Sequence, residues 1–264
     1  MMISTTSQNK DSVLKRVLWG VTALVFWVGV WWLVARRVNQ ELLVPTPLLV
    51  AKTLWHLGGT ADFWKACGAS LWRIACGFAC GVTAGTILAL LTARFIVAER
   101  LLSPLLKTVR ATPVASFIIL ALVWLTTNAL PMFIAFLMVV PIVWANVDKG
   151  IRQTDRRLIE MAQVFRMGKR RTLLHVWIPS VMPYFLTACT TALGLAWKSG
   201  IAAEVICRPD NSIGRLLQTA KLHLETAEVF SHTIAVIVLS LLLERLLLAL
   251  AKRFGRRFNV AEEG

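Results

Sequence analysis

Three charges sit at unusual depth in stretches that are otherwise apolar: Arg73, Lys198 and Glu204. A charge in hydrocarbon is costly, so such residues face a partner or a water-filled cavity, or snorkel to the surface. Lys198 shares a helix face with Gly194, Thr191 and Thr187, a small and polar stripe suited to the wall of an aqueous pathway. Glu204 points about 120° away from Lys198 on an ideal helix, so no pair within that helix is expected. For Arg73 and Glu204, structural pairing or snorkelling stands beside a place on the pathway. A second cluster is basic: the stretch from Asp148 to Trp177 carries 8 Lys and Arg residues around Glu160-Met161-Ala162. It reads either as a helix on the lipid surface, held by anionic headgroups, or as a docking helix for a cytoplasmic partner.

Other chemistries are missing. No G-x-x-x-x-G-K-[ST] occurs, since Gly168-Lys169 is followed by Arg170 and has no matching upstream glycine, so hydrolysis of ATP by this chain is not expected. His56, His175, His223 and His232 are scattered, and no Cys/His group has metal-ligand spacing. Cys67, Cys76, Cys80 and Cys189 read as small hydrophobes, and Cys207 has no evident partner. The apolar stretches hold no nucleophile–base pair, so a membrane-embedded enzyme finds no catalytic constellation.

The elements that must position these residues follow from composition. Of 264 residues, 57% are hydrophobic and 16% charged, with a mean hydropathy of +0.66. That excludes a disordered chain and a disulfide-stapled mini-protein, and leaves a polytopic membrane protein. Six apolar spans are predicted: 17–35, about 66–93, a short one after Pro113 to Thr127, 131–147, 181 to about 206, and 230–251. The first reads as a retained anchor between an N-terminal tail (1–16) and an outer connector (36–65), which carries an amphipathic helix over 42–57 or a plain linker. A core over 66–251, with its loop 148–179, precedes a C-terminal tail (252–264). With both termini cytoplasmic, 19 cationic residues face the cytoplasm and 7 face out, as the positive-inside rule prefers. Small residues four apart, Gly77, Gly81 and Gly85, then Ala188, Ala192, Ala196 and Gly200, allow close helix approach within one chain or between subunits.

Within the basic loop the residues resemble the EAA motif of permease subunits from ATP-binding-cassette (ABC) importers. Glu160-Met161-Ala162 opens it, Ile178-Pro179 closes it at the same Glu-to-Pro spacing, and Val176 takes the Ile place. Arg166 stands where the motif has glycine, and a glycine follows at Gly168. The likeness extends through Leu43-Val44-Pro45-Thr46-Pro47, Ser70-Leu71-Trp72-Arg73-Ile74, Arg110-Ala111-Thr112-Pro113-Val114 and Gly194-Leu195-Ala196-Trp197-Lys198, and is nearest to the nitrate, sulfonate, taurine and bicarbonate subfamily.

The resemblance implies an all-α membrane protein of about six transmembrane helices, the transmembrane domain of a type I importer with a cytoplasmic coupling helix. It implies a bacterial inner-membrane location, no cofactor of its own, and ATP bound by two separate ATPase subunits. An extracytoplasmic solute-binding protein and a second permease subunit, most simply an identical copy, complete the assembly. Coupling would fall to Glu160, Met161, Ala162, Arg166, Gly168, Ile178 and Pro179. The path would fall to Arg73, Thr187, Thr191, Gly194, Lys198 and Glu204, for a small anionic or zwitterionic solute. A self-sufficient ion-coupled carrier is the alternative, and it expects charges nearer the middle of the bilayer.

Overall fold

The computed structural model describes residues 6–257, and within them every regular element is helical. The helices are α1 (Thr6–Val38), α2 (Pro47–Gly58), α3 (Ala61–Arg94), α4 (Ile96–Ala111), α5 (Val114–Ala121), α6 (Leu130–Arg152), α7 (Arg156–Val164), α8 (Lys169–Thr172), α9 (Ile178–Cys207), α10 (Ile213–Leu222) and α11 (Thr226–Arg257). Five of them, α9 being counted with the helical turns before it from Lys169, are long and apolar enough to cross a membrane. A sixth span is reached if the pair α4 and α5 is taken as one broken crossing.

The third span departs from expectation. Instead of one short helix running to Thr127, α4 and α5 meet at an angle of 102°. Pro113 disfavours helical geometry in the residue before it, and Thr112 is accordingly extended, with φ −81° and ψ 137°. The stretch before Pro113, expected as a loop, is therefore the 16-residue α4. At the ends, α1 begins at Thr6, inside the expected tail 1–16, and α11 runs to Arg257, past the expected end of the core at 251. Residues 1–5 and 258–264 of the two tails lie outside the described residues.

Contacts divide the chain into two units. In the first, Met1–Thr60 with Thr219–Thr233, α2 is the helix anticipated in the connector, but it starts at Pro47. Thr46 caps it by accepting a hydrogen bond from the Leu49 amide (3.3 Å), and Pro47 needs no amide partner at the first turn. Trp31 of α1 donates to the Pro45 carbonyl (3.1 Å) and stacks on Phe230 at 5.6 Å. Val50 is fully buried, and Ser231 donates to its carbonyl (3.2 Å).

The second unit, Ala61–Gln218 with Ile234–Gly264, is built around α6, whose buried face includes Ile134, Val139, Val143 and Val147. The glycine stripe of α3 packs on α6 inside this chain. A Cβ on Gly81 would lie 2.7 Å from the Val139 Cβ, and one on Gly85 would lie 2.8 Å from the Val140 carbonyl. Ala188, Ala192 and Ala196 of α9 are fully buried in the same core, and Gly200 admits the Ile74 side chain. Both stripes therefore serve packing within the chain. Trp197 is buried beside them and donates to the Val236 carbonyl (3.2 Å).

Candidate functional site

The basic loop leaves the bundle as an ordered hairpin. Asp155 caps α7 by accepting from the Arg157 amide (2.8 Å). On α7 the three motif residues separate: Ala162 is buried against its own chain, whereas Glu160 and Met161 are exposed. Beside Met161 lie Leu158, Val164 and Phe165, with Val164 80% and Phe165 74% exposed. An exposed apolar face of this kind on a strongly charged hairpin marks a surface for contact with a protein or with the membrane.

α7 ends in a Schellman motif. The Met167 amide donates to the Ala162 carbonyl (2.8 Å) and the Arg166 amide to the Gln163 carbonyl (2.9 Å). This motif requires a left-handed residue at the position after the cap, and Arg166 supplies it with φ 48°. Arg166 thus takes the glycine conformation without being glycine, at a cost of roughly 1–2 kcal/mol. Gly168 does not relieve it, because its φ is −63° and it caps α8 with open space around it. Replacing Arg166 with glycine is therefore expected to firm the loop by about 1 kcal/mol, less what glycine loses in chain entropy. Hydrogen exchange of the Arg166 and Met167 amides in the isolated chain checks this. Slower exchange is expected, and faster exchange contradicts it.

Beyond Thr172 the chain takes a single wide π turn, Leu173–Trp177, before α9. Pro179 lacks an amide hydrogen and its ring would clash with the carbonyl four residues back, so the widened turn accommodates it. Ile178 and Pro179 thereby sit at the joint between hairpin and span.

The root of the loop is pinned by residues that single-sequence reasoning did not select. Arg152 binds Asp148 (2.8 Å) on its own helix and Glu99 (2.9 Å) on α4. Asp148 also accepts from Thr92 of α3 (3.2 Å), which accepts from the Trp144 indole (3.0 Å). The Tyr184 hydroxyl of α9 donates to Gln153 (2.6 Å), and its side chain packs on Gly150, 3.0 Å from where a Cβ there would fall. The spacing of Asp148 and Arg152, four apart on one helix, was the legible part of this signal. The root of the hairpin is thus bonded to α3, α4 and α9 as well as to its own helix α6.

On α9, Thr187, Thr191 and Lys198 are exposed and Gly194 faces open space. This stripe lies roughly 130° around the helix from the buried Ala188, Ala192 and Ala196. Lys198 has no ion-pair partner among the described residues.

Arg73 and Glu204 are brought together instead, away from that stripe. Glu204 is fully buried. Its carboxylate accepts from Ser70 (2.7 Å), from the Gly214 amide (3.3 Å) and from Arg73 (3.4 Å). Arg73 further donates to the carbonyls of Asp210 and Asn211, and the Ile213 amide donates to Ser70 (3.1 Å). The group satisfies the first amides of α10 and ties the turn after α9 to α3. Cys207 finds a partner nearby, its thiol donating to the Thr127 carbonyl (3.5 Å).

Residues 81–260 match the profile of the family described as the binding-protein-dependent transport system inner membrane component. The chain is 30% identical over 222 residues to the putative aliphatic sulfonates transport permease protein SsuC of Escherichia coli, covering 83% of each. It is 28% identical over 229 residues to the nitrate import permease protein NrtB of Synechococcus elongatus (80% of this chain, 79% of that one). Its fold is similar to a crystal structure of an amino acid ABC transporter (TM-score 0.57, 18% identity, 71% of this chain and 90% of that one). The MetNI methionine ABC transporter is a further structural neighbour (TM-score 0.53, 15% identity, 74% and 93% covered). None of these likenesses supports a self-sufficient carrier.

Proposed function

The chain belongs to the binding-protein-dependent transport system inner membrane components, the permease subunits of ABC transporters, and from that premise we propose how its parts divide the work. The hairpin 148–179 docks a separate ATPase subunit, and the polar face of α9 lines the path of a small anionic or zwitterionic solute. The observation that carries the docking reading is the exposed apolar patch of Met161, Val164 and Phe165 on a helix rooted in four others. Met161 makes contact directly, while Ala162 sets the pitch of the helix from inside. Glu160 stands on its solvent side, and Arg166 and Gly168 shape the turn. Ile178 and Pro179 pass the motion to α9. ATP binds in two partner subunits, an extracytoplasmic binding protein delivers the solute, and two copies of this chain form the path. Both termini are cytoplasmic, which puts the hairpin on the ATPase side of the inner membrane.

On the path, Thr187, Thr191 and Gly194 leave room and hydroxyls, and Lys198 supplies the one cation. The named relatives, a sulfonate, a nitrate and a bicarbonate permease, favour an oxyanion cargo. Arg73 and Glu204 hold the frame beside the path and do not meet the solute. Lys198→Met is expected to lower uptake by about 10- to 100-fold, the equivalent of about 1.5–3 kcal/mol for a hydrogen bond to a charged group. Uptake of labelled sulfonate, nitrate and bicarbonate by reconstituted complexes tests it. Unchanged uptake of whichever anion the wild type carries removes Lys198 from the path.

A further inference from the structure

A groove of about 560 Å³ opens between α3, α6 and α9 at the end that carries the hairpin. Its size falls within the roughly 300–1,000 Å³ of small-molecule pockets. Leu90, Val147, Ile151, Val181 and Phe185 form its walls, and Arg94 is its single charged lining residue. Arg94 is the last residue of α3, and Ile151 is the last but one of α6, so the mouth lies where two spans end. The Arg94 guanidinium rests 5.6 Å from the Phe95 ring and has no carboxylate partner among the described residues. Trp177 also lines the groove, and Lys169, Arg170 and Arg171 of α8 precede it by two turns.

The position on α9 narrows the occupant. Ile178, Val181, Met182 and Phe185, which line the groove, lie roughly 160° around the helix from Thr187, Thr191 and Lys198. The groove therefore opens away from the face assigned to the path. Besides the Trp177 indole, a polar solute would find Thr86 and Arg94 to bind, against nine apolar lining residues. An acyl chain fits the apolar walls, and a phosphate fits a lone cation at the depth of the headgroups.

We propose that this groove holds an acyl chain of an anionic phospholipid from the cytoplasmic leaflet, with its phosphate on Arg94. A choline cation beside the phosphate would be repelled by Arg94 at the mouth, so Arg94 sets the preference for a headgroup of net negative charge, and the cations of α8 raise the local positive potential without lining the groove. The assignment rests on the membrane orientation and the path proposed above.

The test is native mass spectrometry of the full chain in mild detergent, titrated with phosphatidylglycerol or phosphatidylcholine bearing the same acyl chains. The wild type is expected to retain its first phosphatidylglycerol at a concentration at least 10-fold lower than its first phosphatidylcholine. Arg94→Gln should erase that difference, whereas Lys107→Gln, a cation on α4 away from the groove, should keep it. Leu90→Trp, which fills the groove, should weaken the first binding of both lipids. Equal retention of the two lipids by the wild type overturns the proposal. So does a preference that Arg94→Gln and Lys107→Gln reduce alike. A Leu90→Trp chain that turns from dimer to monomer with its lipid binding intact overturns it in favour of a second copy. These readouts are independent of ATPase co-purification, so failure here leaves the docking reading standing.

Discussion

Val164→Asp is expected to release the ATPase from the permease while leaving the permease folded. Val164 is 80% exposed, so a carboxylate there keeps its water in the isolated chain and disturbs no core. On docking, the same carboxylate must be buried against an apolar groove with no partner arranged for it. Residues at the centre of such a patch cost about 2 kcal/mol or more when lost, an approximately 30-fold loss of affinity. Co-purification and stimulated ATP hydrolysis should fall together, and thermal unfolding of the permease alone should not move. Ala162→Arg is a less informative variant, because Ala162 is buried in its own chain and a large charge there would break the hairpin itself. A Val164→Asp chain that still recruits the ATPase at wild-type strength would falsify the patch as the docking surface.

Arg73→Met is expected to produce the largest loss of stability. It leaves the fully buried Glu204 carboxylate with only Ser70 and the Gly214 amide, and strips two carbonyls of their donor. Removing one partner of a buried ion pair costs about 3–5 kcal/mol. The double variant Arg73→Met/Glu204→Gln should recover part of this, since the amide carries no charge to strand. Thermal unfolding followed by a thiol-reactive dye reads the effect, because Cys67, Cys189 and Cys207 are buried in the folded chain. A stable Arg73→Met chain with lost uptake would instead return Arg73 to the solute path.

What the sequence revealed and what it hid differ in range. The long spans were legible because each carries some twenty apolar residues, whose burial in lipid nothing else in the chain can match. α4 was not, because its charges at Glu99, Arg100, Lys107 and Arg110 look like a loop to any measure of hydropathy, and only its apolar face makes it a helix. The strain at Arg166 was foreseeable, since a turn that wants glycine was met by a residue with a Cβ. The Arg73–Glu204 pair was not, since it joins residues 131 apart and one sequence holds no record of that distance. The same holds for Glu99 with Arg152. In the motif itself, spacing identified Ala162 as special without saying that it packs inward, which depends on what the hairpin folds against.

These elements make a mechanical account. An ATPase that moves α7 moves the root at Arg152 and Gln153, and with it α3, α4, α6 and α9, so the two ends of α9 see hydrolysis as a rigid displacement. Everything in it depends on the hairpin touching the ATPase. The most direct measurement places a photo-crosslinking amino acid at position 164 in membranes holding the permease and its ATPase. A single protein adduct, of permease plus ATPase, is expected, and it should disappear when the ATPase is omitted. Adducts to lipid alone, with the ATPase present and active, would contradict it and make α7 a helix of the membrane surface.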